Sequence, residues 1–236
     1  MLPRAAEREF ATSRRAARDV APVSLCEGLY ARAGKRAFDV ACAAFGLIVL
    51  APLLAAVAIA VKLSSRGPIF FRQERVGRYG RLFSIVKFRT MTARAAESGP
   101  RITSSGDPRI TSFGRFLRRY KLDEFPQLWN VLRGDMSFVG PRPELASYVA
   151  LYSPAQAEVL TVRPGITDTA SLAYRHEEEL LAMHPEPELF YSREILPRKL
   201  DYNLEYIGAM SFATDLKLIF RTLKSVFAAP REKMER

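Results

Sequence analysis

The chemistry in this chain is concentrated between Gly114 and Glu144, GRFLRRYKLDEFPQLWNVLRGDMSFVGPRPE. An adjacent acid pair, Asp123-Glu124, stands between basic residues on both sides. Arg115, Arg118, Arg119 and Lys121 come before it; Arg133 and Arg142 come after it. From Phe125 the apolar residues fall at 125, 128, 129 and 132, which is helical spacing. The pair is therefore expected at a helix start, with Pro126 tolerated in the first turn. An acid at such a place commonly caps the helix and complements its dipole. Two adjacent acids among so many cations suit a further task, holding a metal ion and phosphates together. Carboxylates bind Mg²⁺, and guanidinium forks match phosphate oxygens bidentately.

The run LDEFPQLWNVLRGDMSFVGPRPE resembles the core signature of the bacterial sugar transferases, the monotopic phosphoglycosyl transferases. Members of that family move a sugar-1-phosphate from a nucleoside-diphosphate sugar to a membrane polyprenol phosphate. GPIFFRQERVG, FSIVKFRTM, the DPRIT and GRFLRR phrases, and Arg163 to Thr167 are similar to the family as well. The likeness is close over residues 35–167 and loose over the C-terminal amphipathic helix. It implies that Asp123 attacks the sugar-bearing phosphorus of a UDP-sugar, releasing UMP, and that undecaprenyl phosphate then takes the sugar phosphate. It implies Mg²⁺ held at Glu124 with Asp123. Lys87, Arg118 and Arg142 become the phosphate-binding candidates, with Arg175 and Asp201 lining the site. After Thr167 the chain departs from the family. Many members continue with Gly and an AQVNGR-like run; here Asp168 to Arg175 reads DTASLAYR, followed by His176 and three glutamates. Arg175 keeps the arginine position by count.

The elements that must position these groups come from the rest of the chain. Its 236 residues are enough for a real core, and its formal charge of +11 suits an anionic partner. Nucleic acid, anionic lipid and phosphorylated substrates all meet that description. No RNA- or DNA-binding signature is present, and a nucleic-acid binder would not explain adjacent acids among arginines. A non-catalytic membrane scaffold is the other competing class. Two cysteines, Cys26 and Cys42, are too few for a disulfide framework, and no zinc spacing occurs. His176 and His184 read as surface residues. Residues 1–34 form a basic arm, disordered or loosely helical, without the pattern of a signal peptide.

Between Asp39 and Lys62 about 22 residues carry no charge, enough to cross a bilayer core. Pro52 at the middle is expected to break or bend that helix. Lys35 and Arg36 flank one end, Lys62 and Arg66 the other, so both ends favour the cytoplasmic side. A helix–break–helix over 35–66 that dips into one leaflet satisfies both features; a simple span is the alternative. The family resemblance implies re-entry at a Ser-Pro pair, and here the pair is Ala51-Pro52. Residues 67–236 then form a catalytic domain. Ile69 to Arg72 and Leu82 to Phe88 read as a hairpin around the Gly77 to Gly80 turn. A short helix capped by Ser112 delivers Arg118, and Pro141 and Pro143 pre-set the backbone around Arg142. Arg163 to Thr167 reads as a tight turn, and a helix runs through Asp201 and Tyr202. Ser211 to Phe227 is an amphipathic helix with Phe212, Leu216, Ile219, Phe220, Leu223 and Phe227 on one face. That face serves core packing or lies among lipid headgroups, the cations off it favouring the second modestly.

The expected class is α+β, predominantly helical, with a re-entrant membrane helix and a small cytoplasmic catalytic domain. The expected location is the bacterial inner membrane, at the first membrane step of a glycoconjugate pathway. The partners are a UDP-sugar, undecaprenyl phosphate and membrane lipid, with no nucleic acid.

Overall fold

A computed structural model of the chain describes Tyr30 and residues 34–92 and 106–227. The expected N-terminal arm, all but Tyr30 and Gly34, and residues 93–105 lie outside the described residues. Helices dominate, and the described strands form two two-stranded sheets.

The long apolar run forms one α-helix, α1 (Lys35–Ser64), of 30 residues, with Pro52 inside it. The expected break is thus corrected to an uninterrupted helix. Proline removes a single N–H from the ladder, and the bonds on either side carry the helix through. Buried positions along α1 are Lys35, Asp39, Ala43, Val57 and Val61, a stripe at helical spacing. Near its start, Ala43 packs with Ile85, Val131 and Met136. Near its end, Val57 and Val61 pack with Phe88 and Leu117. Between those anchor points Phe45, Ile48, Val49 and Leu53 are exposed. A helix of this length is about 45 Å long.

The hairpin follows. β1 (Phe70–Val76) is longer than expected; β2 (Leu82–Phe88) matches. They pair antiparallel with Phe71 opposite Lys87. α2 (Ser112–Arg119) is capped by Thr111, whose hydroxyl accepts from the Gly114 N–H at 2.9 Å, and not by Ser112. Asp123 and Glu124 lie on a 3₁₀ turn, Leu122–Glu124, just before α3 (Gln127–Arg133). Gly134 ends α3 with φ +94°, a left-handed conformation that favours glycine.

β3 (Ser137–Val139) and β4 (Gly165–Thr167) form a parallel pair, with Ser137 opposite Gly165 and Val139 opposite Thr167. The second of these was expected as a turn. Local pattern hides it, because three residues give no periodicity and the partner is 28 positions away. Between them lie α4 (Ala146–Val149) and a 3₁₀ helix, Gln156–Thr161. Gly140 and Gly165 let two backbones touch. A Cβ on Gly165 would stand 2.2 Å from the Gly140 nitrogen, and one on Gly140 2.4 Å from the Arg163 carbonyl. Backbone cannot yield as a side chain can. Gly165→Ala is therefore expected to cost stability at the upper end of about 1–3 kcal/mol, read as a lowered denaturation midpoint.

α5 (Thr169–Ala173), α6 (Glu177–Ala182) and α7 (Pro187–Phe190) lead through a π turn into α8 (Leu196–Gly208). The main core gathers Val76, Val139, Val149, Tyr191, Leu196, Leu200 and Tyr206 from these elements. α9 (Phe212–Phe227) packs onto it through Asp215 and Leu218, both buried. The face marked out by apolar spacing is divided. Ile219 packs against the main core and Phe212 sets its ring edge-on to Phe38 at 5.5 Å, while Leu216, Phe220 and Leu223 are exposed, which rules out the core-packing reading for those three.

Candidate active site

Three elements converge on Glu124. Lys87, next to last in β2, donates to its Oε1 at 2.7 Å. Arg142, in the Pro-Arg-Pro segment after β3, donates to the same oxygen at 2.7 Å and to Oε2 at 3.5 Å. Glu124 is 6% exposed and Asp123 7% exposed, so both carboxyls are withdrawn from solvent. Asp123 Oδ1 is buried and accepts no hydrogen bond.

The two acids are driven apart in acidity. Burial, then the charge of Glu124, pushes Asp123 above the ordinary carboxylate range, against the pull of Lys87, Lys121 and Arg118. Burial would also raise Glu124, but the Arg142 and Lys87 charges more than offset it and hold it well below that range. Burial lowers the Lys87 amine, opposed by Glu124. One buried carboxylate is thus fully neutralised, and its neighbour is left without a partner at one oxygen. The divergence of two adjacent acids is a mark of functional sites.

Local structure supplies the placement. Lys121 adopts φ +55°, unusual for a residue with a side chain, directly before Leu122 and Asp123. Asn130 ties α3 to β2 by both ends of its amide. Its Nδ2 donates to the Ser84 carbonyl at 2.8 Å, and its Oδ1 accepts from the Val86 N–H at 3.1 Å. This sets Lys87 against the turn that carries Glu124. Arg142 is fixed from behind. Gly165 N–H donates to the Pro141 carbonyl at 3.0 Å, and Arg75 Nη1 to the Pro143 carbonyl at 3.2 Å. Glu144, two residues on, accepts from the Tyr191 hydroxyl at 2.6 Å and faces Arg75 and Lys199.

Arg118 joins the rim and not the cluster itself. Its Nε donates to Thr90 Oγ1 at 3.1 Å and its Nη1 to Glu178 at 3.2 Å. Its charge reaches Asp123. Arg175 and Asp201 are not brought in by any hydrogen bond or ion pair among the described residues. Arg175 is exposed and donates to the Ser225 carbonyl at 3.4 Å, and Asp201 lies exposed on α8. Asn130, Thr90, Arg75 and Glu144 were not expected from sequence. All four stand inside the family-like phrases, but nothing in those phrases marked them as site residues.

The chemistry of this arrangement is that of a phosphate-handling protein: cations shaped for phosphate oxygens around a poised carboxylate, beside a long apolar helix. The chain belongs to the bacterial sugar transferase family, whose pattern matches residues 30–229. It is 43% identical over 197 residues to the undecaprenyl-phosphate glucose phosphotransferase of Komagataeibacter xylinus, covering 80% of this chain and 35% of that protein. It is 40% identical over 198 residues to the UDP-glucose:undecaprenyl-phosphate glucose-1-phosphate transferase of Caulobacter vibrioides, covering 81% and 69%. It is 33% identical over 211 residues to the exopolysaccharide production protein ExoY of Sinorhizobium fredii, covering 81% and 84%. The chain thus matches about a third of the first relative and most of the other two.

Proposed function

We propose that this protein transfers a sugar-1-phosphate from a UDP-sugar to undecaprenyl phosphate, releasing UMP. The observation that carries the reading is the split pair: Glu124 clamped by Lys87 and Arg142, Asp123 buried beside it with Oδ1 unpartnered. Asp123 Oδ1 attacks the sugar-bearing phosphorus. An acyl-phosphate bond forms, the anhydride bond breaks, and UMP leaves with the electron pair. An oxygen of the lipid phosphate then attacks the same phosphorus and the Asp123 carboxylate departs. The product is a polyprenyl diphosphate sugar.

Lys87 and Arg142 are the seats for the diphosphate, and the Glu124 carboxylate occupies them here. A diphosphate drawing these cations to itself leaves the oxygens of Glu124 open. With Oδ2 of Asp123, the oxygen not used in the attack, they would then suit Mg²⁺, a hard cation that takes its remaining ligands from phosphate and water. When bound, Mg²⁺ supplies neutralisation of the phosphate charge. Arg118 serves phosphate at the rim. Arg175 and Asp201 belong to the site only if substrate draws α8 and the segment after Thr167 inward.

The structure supports a membrane-seated reading through the ends of α1. At one end Arg36 donates to the Val131 and Leu132 carbonyls at 2.6 and 3.0 Å, and Asp39 accepts from the Phe138 N–H at 3.1 Å. Lys35 pairs with Asp215 of α9. At the other end Arg89 donates to the Ser65 carbonyl at 2.6 Å. Both ends are thus bound to one body, and the apolar middle faces outward. Both therefore lie on the same side of a bilayer, the cytoplasmic side of the inner membrane, with the outward Leu216, Phe220 and Leu223 of α9 among the headgroups. Single cysteines at exposed Ala37 and Ser64, with Cys26 and Cys42 replaced, are expected to react with an impermeant maleimide from the same side in sealed vesicles. Labelling from opposite sides overturns same-side seating.

The reaction is tested with purified protein, undecaprenyl phosphate, Mg²⁺ and a panel of UDP-sugars. UDP-glucose comes first, because two of the relatives above carry glucose in their names. UMP release that requires the lipid is the expected result. No release from any donor by folded protein sinks the proposal.

A further inference from the structure

Arg89 is a buried cation without an acid. Lys87 and Arg142 pair with Glu124, and Arg118 with Glu178. Arg89 is 6% exposed and has no carboxylate partner among the described residues. Its Nη2 spends its hydrogens on the end of α1, at the Ser65 carbonyl (2.6 Å), the Ser65 hydroxyl (2.9 Å) and the Val61 carbonyl (3.4 Å). Nε and Nη1 are buried and donate to nothing. A helix C-terminus welcomes a cation, so the Nη2 bonds have a structural reason. That reason does not extend to the other two nitrogens. Two idle donor atoms on a desolvated guanidinium are costly, and a phosphate is the anion whose oxygens match such a fork.

Its position narrows the ligand. Arg89 lies two residues beyond Lys87 and one before Thr90, whose hydroxyl holds Arg118. It also holds the end of α1, where Leu63 is exposed, and its own N–H bonds the Ile69 carbonyl, next to exposed Phe70. A phosphate there would have exposed apolar side chains at hand for its lipid tail, and Lys87 of the Glu124 cluster two residues back along the chain. We infer that Nε and Nη1 of Arg89 form a seat for a lipid-borne phosphate, that of the polyprenol acceptor, at the end of the membrane helix. The seat rests on the reaction proposed above. Both nitrogens are covered in this structure, so an anion reaches them when the adjoining backbone moves aside.

The two halves of the reaction separate the possibilities. Exchange of labelled UMP into UDP-sugar needs no lipid and reports the Asp123 step alone. Full transfer with varied undecaprenyl phosphate reports the acceptor. Arg89→Lys keeps the charge and loses the fork. It is expected to raise the acceptor KM at least about tenfold, the scale of a hydrogen bond to a charged group. Exchange should stay within about twofold of wild type. Ser65→Ala removes one bond from Nη2 and leaves the fork, and should move neither readout. Arg89→Gln serves if the lysine variant does not fold. An equal fall of exchange and transfer shows Arg89 to be only a helix cap and overturns the proposal. So does an unchanged acceptor KM. Loss of co-purifying phospholipid from Arg89→Lys, with the acceptor KM unchanged, assigns the seat to a bulk headgroup and also overturns it. Absence of UMP exchange in the wild-type protein would instead tell against the reaction itself.

Discussion

Asp123→Asn is expected to lower UMP release by at least about 10³-fold, the scale of removing a nucleophile, while leaving the protein as stable as wild type or more so. Both halves follow from one fact. A buried carboxylate with an unpartnered oxygen is held in the fold against its own desolvation. Asparagine keeps the shape and removes the charge, so the proposed nucleophile is lost and the strain relieved. Relief of about 1 kcal/mol would raise the melting midpoint of a chain this size by about 2–4 °C. The sign with pH follows. Because the folded-state pKa of Asp123 is raised, its ionised form is the penalised one. The advantage of the asparagine variant is then present at neutral pH and shrinks as pH falls through that raised pKa. Calorimetry of both proteins from pH 7 downward checks this. A scaffold protein would tolerate the change without loss of phenotype. A variant that is both inactive and unfolded would show Asp123 to be structural.

Glu124→Gln is expected to inactivate the protein and also to destabilise it, the opposite pattern to Asp123→Asn. An amide retains hydrogen-bonding atoms but leaves Lys87 and Arg142 facing one another without an anion. Breaking a fully buried pair costs about 3–5 kcal/mol. Here the two cations keep part of their solvent contact, with side chains 20% and 29% exposed, and a loss of about 2–3 kcal/mol is expected. The pKa of Glu124 is depressed in the fold, so its contribution is fully present above the unfolded carboxylate value of about 4.3. It is lost as pH falls through the depressed value, and the gap between wild type and variant narrows there. If Glu124 serves only the metal and not the cations, Glu124→Gln loses activity without losing stability. Chemical denaturation at pH 7, and then at falling pH through that depressed value, decides between them.

Arg118 and Glu144 show how a residue can be visible in sequence while its partners are not. Arg118 stands five residues before Asp123, close enough for the pattern to nominate it. Its partners, Thr90 and Glu178, are 28 and 60 positions away. Glu144 reads as the last letter of a motif, yet it binds Tyr191, 47 residues on. The acidic run after His176 belongs to the stretch where the chain departs from its family, and sequence assigned it no task. In the fold it meets two cations, Glu178 on Arg118 and Glu177 on Lys199. Arg175 was carried over by count alone, and among the described residues it donates to the Ser225 carbonyl, outside the Glu124 cluster.

By itself the sequence determined the chemistry available and the local frame around it. The acid pair, the lysine of β2, the arginine between two prolines, the hairpin and the apolar helix all rest on neighbours within a few residues. Short-range sterics and periodicity act at that distance. Tertiary structure decided which charge meets which. Glu124, not Asp123, takes both Lys87 and Arg142, which leaves Asp123 desolvated and poised; ion pairing between β2, the 3₁₀ turn and the segment after β3 sets that choice. The fold also decided that α1 continues through Pro52 with both ends bound to one domain, and that Leu216, Phe220 and Leu223 of α9 turn outward while Ile219 turns to the core. Burial is a property of what covers a surface, and the covering elements come from far along the chain.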